Sequence, residues 1–292
     1  MTDRPGGATS GEESRPDRER LRQAVHDSPA AEVATAGGDR PETFPLSPFY
    51  DDEKDAVVVT SPPAFSGKVD AVRENPQMSI LFYAAEEPFL LRGRGTVHDD
   101  DLEANAEYVR ELIESEPPSP KKEGFTKTGS VLDSRVGRFL FGWYALRVVV
   151  EVDPDAVEPV ADASGQLPPW PVQDIDAGEA ASYDRLVLTT VDDSGWPRSR
   201  PVADAAVEGG TVRLDVGGSV TDGQPGCLLA HWHTPDLEKL GQRLFRGRCR
   251  QHDGRVAFEP ASSFSMRNET WLDRLKFVVE GKRRTRAYFR GA

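Results

Sequence analysis

The sequence predicts a mainly β protein with some α structure: two tandem six-stranded antiparallel barrels carrying short peripheral helices. Three observations lead there. Strand-length runs rich in β-branched and aromatic residues recur between short polar turns, as at residues 56–60 and 185–191. Leu90-Leu91-Arg92-Gly93-Arg94, followed by His98-Asp99, returns 154 residues later as Leu244-Phe245-Arg246-Gly247-Arg248, followed by His252-Asp253. A Pro-rich, acidic stretch lies between the halves. The expected boundaries are a disordered segment 1–20, a first barrel 21–155, a linker 156–181 and a second barrel 182–292.

Residues 1–20 are polar and lack hydrophobic periodicity, and 21–26 carry Leu21 and Val25 at helical spacing. Residues 31–36 read as a strand that turns at Gly37-Gly38-Asp39-Arg40. Residues 43–50 read as a second strand, interrupted by Pro45 and Pro48 and hence at an edge or bulged. Residues 56–60 form the clearest strand of this half. Ser66-Gly67-Lys68 then opens a short helix with Val69 and Val72 on its apolar face. Asn75-Pro76 stops it, because proline disfavours helical geometry in the preceding residue. Strands over 78–83 and 89–97 follow, joined by a turn at Glu86-Glu87-Pro88.

Asp99-Asp100-Asp101 introduces a helix over 102–115 with Leu102, Ala106, Val109 and Ile113 on one stripe. Residues 116–129 read as a Pro/Lys loop, and 138–152 (RFLFGWYALRVVVEV) as one long strand. Residues 153–182 read as an extended connector, with a clamping role for Trp170 as the alternative. In the second half, strands are expected over 185–191, 196–206 and 211–216, and the basic tail reads as an edge strand.

The chain has 292 residues, 28 arginines, 8 lysines and a net charge of −13. An acidic surface repels polyanions, so nucleic acid is not the expected partner, and without a run of membrane-span length neither is a membrane. The acidic, lysine-poor composition also resembles that of proteins from salt-loving organisms. The exception is the tail from Arg255, with nine basic and four acidic residues. No run has the length of a membrane span, and the first residues lack the apolar core of a secretory signal, so a cytoplasmic location is expected. Cys227 and Cys249 make neither a disulfide framework nor a metal-ligand spacing.

Candidate chemistry gathers at a few positions. A hydroxyl, a glycine and a lysine at a helix start suit an anion, because free N–H groups, the helix dipole and an ammonium point the same way. The other reading of Ser66 and Lys68 is a serine cap followed by a surface lysine. Alternation puts Arg92 and Arg94 on one face, as ligands or as a solvated pair. His231 and His233 also share a face, yet two histidines without a third ligand fall short of a metal site. No Ser-His-Asp set, acid–base pair or phosphate-cradling Walker loop is visible.

The ordered pattern Ser66-x-Lys68, Asn75-Pro76, a strand and then Arg92-Gly93 resembles the pyridoxamine 5′-phosphate oxidase-like FMN-binding split-barrel superfamily. The turns at Gly195-Trp196-Pro197 and, less closely, Gly38-Asp39-Arg40-Pro41 fit the same pattern. The likeness spans about residues 21–155 and again 180–292. It implies two split barrels paired as an intrachain pseudo-dimer with FMN at their interface. By this resemblance Ser66 and Lys68 hold the flavin phosphate, helped by Arg92 or Arg94. Thr60 and Ser61 reach the phosphate or the isoalloxazine edge, and His231 approaches the cofactor from the second barrel. The second copy has Thr221-Asp222-Gly223-Gln224 in place of Ser-Gly-Lys, and Asp222 would repel a phosphate, so one site is expected. Residues 43–50 lack the basic flavin-binding strand of the genuine pyridoxamine phosphate oxidase, and this chain is not expected to be one. The implied activity is flavin-dependent oxidoreduction of a small molecule. The alternatives are an F420-dependent reductase of the same fold and a non-catalytic flavin or haem carrier.

Overall fold

Within the residues that the computed structural model describes, 17–83, 87–268 and 270–291, the chain opens in helix α1 (Arg18–Asp27). Asp17 caps it by accepting the Glu19 N–H at 3.0 Å. Most of the expected disordered segment 1–20 lies outside the described residues, as does Glu86 of the expected 86–88 turn. The last residues of that segment belong to α1, whose buried face is Leu21, Ala24 and Val25.

Strands β1 (Ala31–Gly37), β2 (Arg40–Leu46), β3 (Pro48–Asp51) and β4 (Ala56–Ser61) follow. A 3-10 turn over Pro63–Phe65 runs into α2 (Gly67–Glu74), which ends at Asn75 before β5 (Gln77–Phe82) and β6 (Phe89–His98). Helices α3 (Leu102–Ser115), α4 (Pro120–Asp133) and α5 (Arg135–Ala145) then lead to β7 (Val148–Pro159). These strands form an antiparallel sheet in the order β2-β1-β5-β6-β7-β4-β3. Only Ser47 separates β2 from β3, so the two edges of this curled sheet are joined through the chain.

The second unit runs through α6 (Ala177–Ser182), β8 (Arg185–Val191), β9 (Pro197–Glu208), β10 (Thr211–Val216), β11 (Gln224–His233), β12 (Leu240–His252), β13 (Arg255–Arg267) and α7 (Trp271–Gly291). Its six strands close into a barrel in the order β10-β13-β12-β11-β8-β9. Strand β9 pairs with β8 through residues 197–201 and with β10 through 202–208. In the first unit β2 and β3 divide that work, which is why its sheet has seven strands instead of the expected six. Pro45 and Pro48 flank the break, and neither can donate to a ladder.

Three expectations give way to helices. The loop expected at 116–129 is largely α4, started by Ser119, whose side chain accepts the Lys122 N–H at 3.2 Å, with Pro120 in the first turn. The strand expected over 138–152 is α5 up to Ala145 and strand only from Val148, where the β-branched run begins. The basic edge strand expected near the end is α7, which receives Trp143 of α5 in the notch at Gly281. Trp170, in the region expected as an extended connector, is fully buried and packs on Phe245 inside the second unit, with ring centroids 5.3 Å apart.

The two ladders share an irregularity at matching places. Register shifts mark a β-bulge between Arg92 and Gly93 and again between Arg246 and Gly247. A Cβ at Gly93 would lie 2.6 Å from the Asp153 carbonyl oxygen, and one at Gly247 2.1 Å from that of Glu259. Each glycine lets its neighbouring strand approach at the bend. Gly247→Ala is expected to lower stability by about 2–4 kcal/mol. Gly210→Ala, where an added methyl meets nothing within 4 Å, is the matched control. Thermal unfolding of the pair checks this, and equal midpoints would refute the close approach.

Tracing the ladders outward from the bulges, Ser79 opposite Arg92 corresponds to Cys227 opposite Arg246. Ala34 then corresponds to Thr189, and Thr43 to Ser199. The units meet through the outer faces of these same strands: β2 against β8 and β11, and in mirror fashion β9 against β1 and β5. Such reciprocal pairing is that of an isologous contact between two like bodies. Each barrel keeps its own apolar interior, with Val33, Val57, Ile80 and Leu91 in the first and Leu188, Leu214, Phe245 and Phe258 in the second.

Candidate functional site

The first unit's interior opens beside the seam at the start of α2. The 3-10 turn leads straight into the helix, so Ser66 takes helical backbone angles (φ −71°, ψ −12°) and its side chain makes no capping bond. Its carbonyl accepts from Val69 at 2.7 Å, whereas the N–H groups of Gly67 and Lys68 donate to no acceptor among the described residues. The simple serine-cap reading of Ser66 is thereby replaced by an uncapped helix start.

Lys68 follows in the first turn of α2. Its ammonium lies 4.5 Å above the centroid of the Phe44 ring and has neither a carboxylate nor a hydrogen-bond acceptor among the described residues. Burial pushes its pKa down to about 8, with the Glu42 carboxylate acting weakly in the other direction. A surface lysine would have kept its water and its ordinary value. Beneath it is a cavity of about 20 Å³ lined by Thr35, Phe44, Thr60, Lys68 and Met78 among others. That is room for about one water. Thr35 Oγ1 is buried here with no hydrogen-bond partner among the described residues.

The predicted residues divide into two groups. Thr60, Ser61 and Lys68 line one cavity, and Ser66, two residues before Lys68, is not part of that lining. The Ser61 hydroxyl is engaged, donating to the Phe65 carbonyl at 3.1 Å. Arg92 and Arg94 stand elsewhere. Their strand turns Gly93 and Gly95 inward, so both guanidiniums lie outside the barrel against Trp196, at 5.4 and 5.6 Å from its ring. Arg92 also pairs with Glu158 at 3.0 Å. His231 is buried in the seam, its Nε2 2.8 Å from Glu32 Oε1, with its ring stacked on that of His233. Burial lowers the His233 pKa. Among the described residues no group of three His, Cys, Asp or Glu side chains stands together as a metal would need.

Three contributors escaped the sequence reading: Thr35, Phe44 and Arg200. By the ladder correspondence Phe44 and Arg200 occupy equivalent positions. Arg200 is a partly buried guanidinium whose single polar contact among the described residues is Thr190 Oγ1 at 3.3 Å. Burial lowers its pKa, and Arg198 adds to the effect. The segment over 217–223, which takes the place of α2 in the second unit, is a loop without a lysine. Among the described residues each unit therefore places at this end a cation without a carboxylate partner, Lys68 in the first and Arg200 in the second. Arg-x-Arg after Gly195-Trp196-Pro197 was the available signal.

No protein-family model and no curated protein matches the chain. Solved structures that resemble parts of it do exist. An FMN-binding protein related to pyridoxamine 5′-phosphate oxidase from Nostoc punctiforme PCC 73102 is 14% identical over 65% of this chain and 97% of its own, with a TM-score of 0.34. An FAD-binding protein from Mesorhizobium loti is 16% identical over 51% of this chain and 96% of its own, with a TM-score of 0.32. General Stress Protein 26 from Bacillus anthracis str. Sterne is 13% identical over 49% of this chain and 92% of its own, with a TM-score of 0.30.

Proposed function

We propose that the chain is a duplicated split-barrel flavoprotein that binds FMN at the seam of its two units, with the phosphate on the first. The observation that carries this reading is the isolated Lys68 ammonium beside the unused Gly67 and Lys68 N–H groups. An ammonium held at a depressed pKa without a carboxylate is stabilised by an incoming dianion, and the helix start adds its own attraction. The orphaned Thr35 hydroxyl supplies a further donor within the same lining. The donors suit the phosphate end of FMN in charge and hydrogen bonding, and its entry requires a cavity with room for about one water to widen. The cavity itself is too small for a ring system, which leaves the isoalloxazine to the seam.

When bound, the flavin supplies hydride or electron transfer, and the protein's residues hold and orient it. An oxidoreductase acting on a small molecule follows from that chemistry. The second reading is a non-catalytic flavin carrier that uses the same donors without turnover. Reduction of the bound flavin and its reoxidation by a small-molecule acceptor would separate the two. His231 has its Nε2 engaged by Glu32, which does not favour a haem role.

Flavin fluorescence quenching tests the phosphate assignment. FMN is expected to bind at least about tenfold tighter than riboflavin, which lacks the phosphate. The Ser66→Ala/Lys68→Ala double variant is expected to bind both equally. Equal affinities already in the unmodified chain would refute the assignment.

A further inference from the structure

Of the large apolar side chains that stand exposed among the described residues, all but Val172 lie on α4, α5 and α7. On α5, Val136, Phe139 and Leu140 fall three and four residues apart, and on α7 Leu275 and Val279 fall four apart. Each set is therefore a stripe along its helix. Phe139 is 75% exposed and Val136 69%, values that a folded domain gives its large apolar residues only singly. The two helices pack together: Trp143 rests on Phe277 at 5.3 Å, and the Lys282 ammonium lies 4.2 Å above the Phe139 ring.

The two helices are also basic in sequence. Helix α7 has seven Lys or Arg residues against Asp273 and Glu280, and α5 adds Arg135 and Arg138, in a chain whose net charge is −13. Glu280 is engaged by Arg283 and Arg284 within its own helix. An isologous dimer through this face would bring two strongly positive surfaces together, which charge repulsion opposes. An anionic surface has the complementary sign, and the acidic remainder of the chain would orient this face toward it. Apolar stripes flanked by arginines are the arrangement of helices that lie at headgroup depth.

We infer that α5 and α7 form a docking face for an anionic lipid surface, with Phe139 and Val279 entering the headgroup boundary and the arginines meeting lipid phosphates. No helix among the described residues is long and apolar enough to cross a membrane, so the association is peripheral. It revises the expectation, drawn from the lack of a membrane-length apolar run, that the chain has no membrane partner. The opposite side of α7 stacks Phe277 on Phe65 at 5.7 Å, immediately before Ser66, so the docked helix also braces the anion site.

Cosedimentation of the full chain with vesicles of mixed phosphatidylglycerol and phosphatidylcholine tests this. At about 0.1 M salt the bound fraction is expected to exceed that on phosphatidylcholine alone by about tenfold, and to fall at about 1 M salt. Phe139→Asp/Val279→Asp and, separately, Arg283→Glu/Arg286→Glu are each expected to lose at least about tenfold in binding. These positions are exposed, and an unchanged unfolding midpoint shows that each variant has folded. Equal binding to both vesicle types, or variants that bind like the parent, would overturn the inference. So would a dimer in the parent that Phe139→Asp/Val279→Asp converts to monomer, or binding to duplex DNA without binding to vesicles.

Discussion

Glu32→Val is expected to destabilise the chain by roughly 3 kcal/mol, and adding His231→Tyr is expected to recover most of that loss. Glu32 and His231 are 3% and 1% exposed, and they meet across the seam at 2.8 Å. Removing the carboxylate leaves a buried imidazole without its acceptor. The ladder correspondence shows what the alternative contact looks like. Val187 stands where Glu32 does, and Tyr83 where His231 does, and both belong to one apolar cluster with Leu81 and Leu90. The seam therefore contains a polar and an apolar version of the same contact. The double variant copies the second version onto the first, so chemical denaturation of the four members of the cycle should reveal strong coupling. Additive losses would contradict the pseudo-two-fold seam.

Lys68→Met is expected to raise stability near pH 7 by on the order of 1 kcal/mol while abolishing FMN binding. Burial holds the Lys68 pKa at about 8 against an ordinary 10.5, so the charged form is less stable in the folded chain than in the unfolded one. That penalty is present in full below about pH 8. It shrinks as the pH rises and is gone above the unfolded value of 10.5. The gain from Lys68→Met should therefore fade over the same window. FMN affinity of the unmodified chain should fall as the pH passes about 8, because binding then requires proton uptake. Thermal unfolding at a series of pH values checks the first claim. A gain of the same size near pH 7 and near pH 11 would contradict a half-buried ammonium that is penalised when charged.

Much of the strand framework was legible because it rests on local signals. The β-branched run at Ala56–Ser61, the Asp-capped helix at Leu102–Ser115 and the Asn75-Pro76 stop each carry their own boundary. Helix α4 was not legible because its Pro and Gly residues read as a loop, and α5 and α7 were not because aromatic residues such as those of FLFGWYA suit a strand as well as a helix. The choice is made by the notch at Gly281 that receives Trp143, a contact more than a hundred residues away in sequence. The site divides in the same way. Lys68 and Ser66 are marked by their place at a helix start. The partnership of Lys68 with Phe44, and the exchange of Phe44 for Arg200 in the second unit, depend on ladder registers that no short motif encodes.

The central claim is that one flavin phosphate binds at the start of α2, beside the seam of the two units. Native mass spectrometry of the full chain titrated with FMN tests it most directly. One FMN per chain is expected for the parent and none for Lys68→Met. Two per chain, or FMN retained by Lys68→Met, would contradict it.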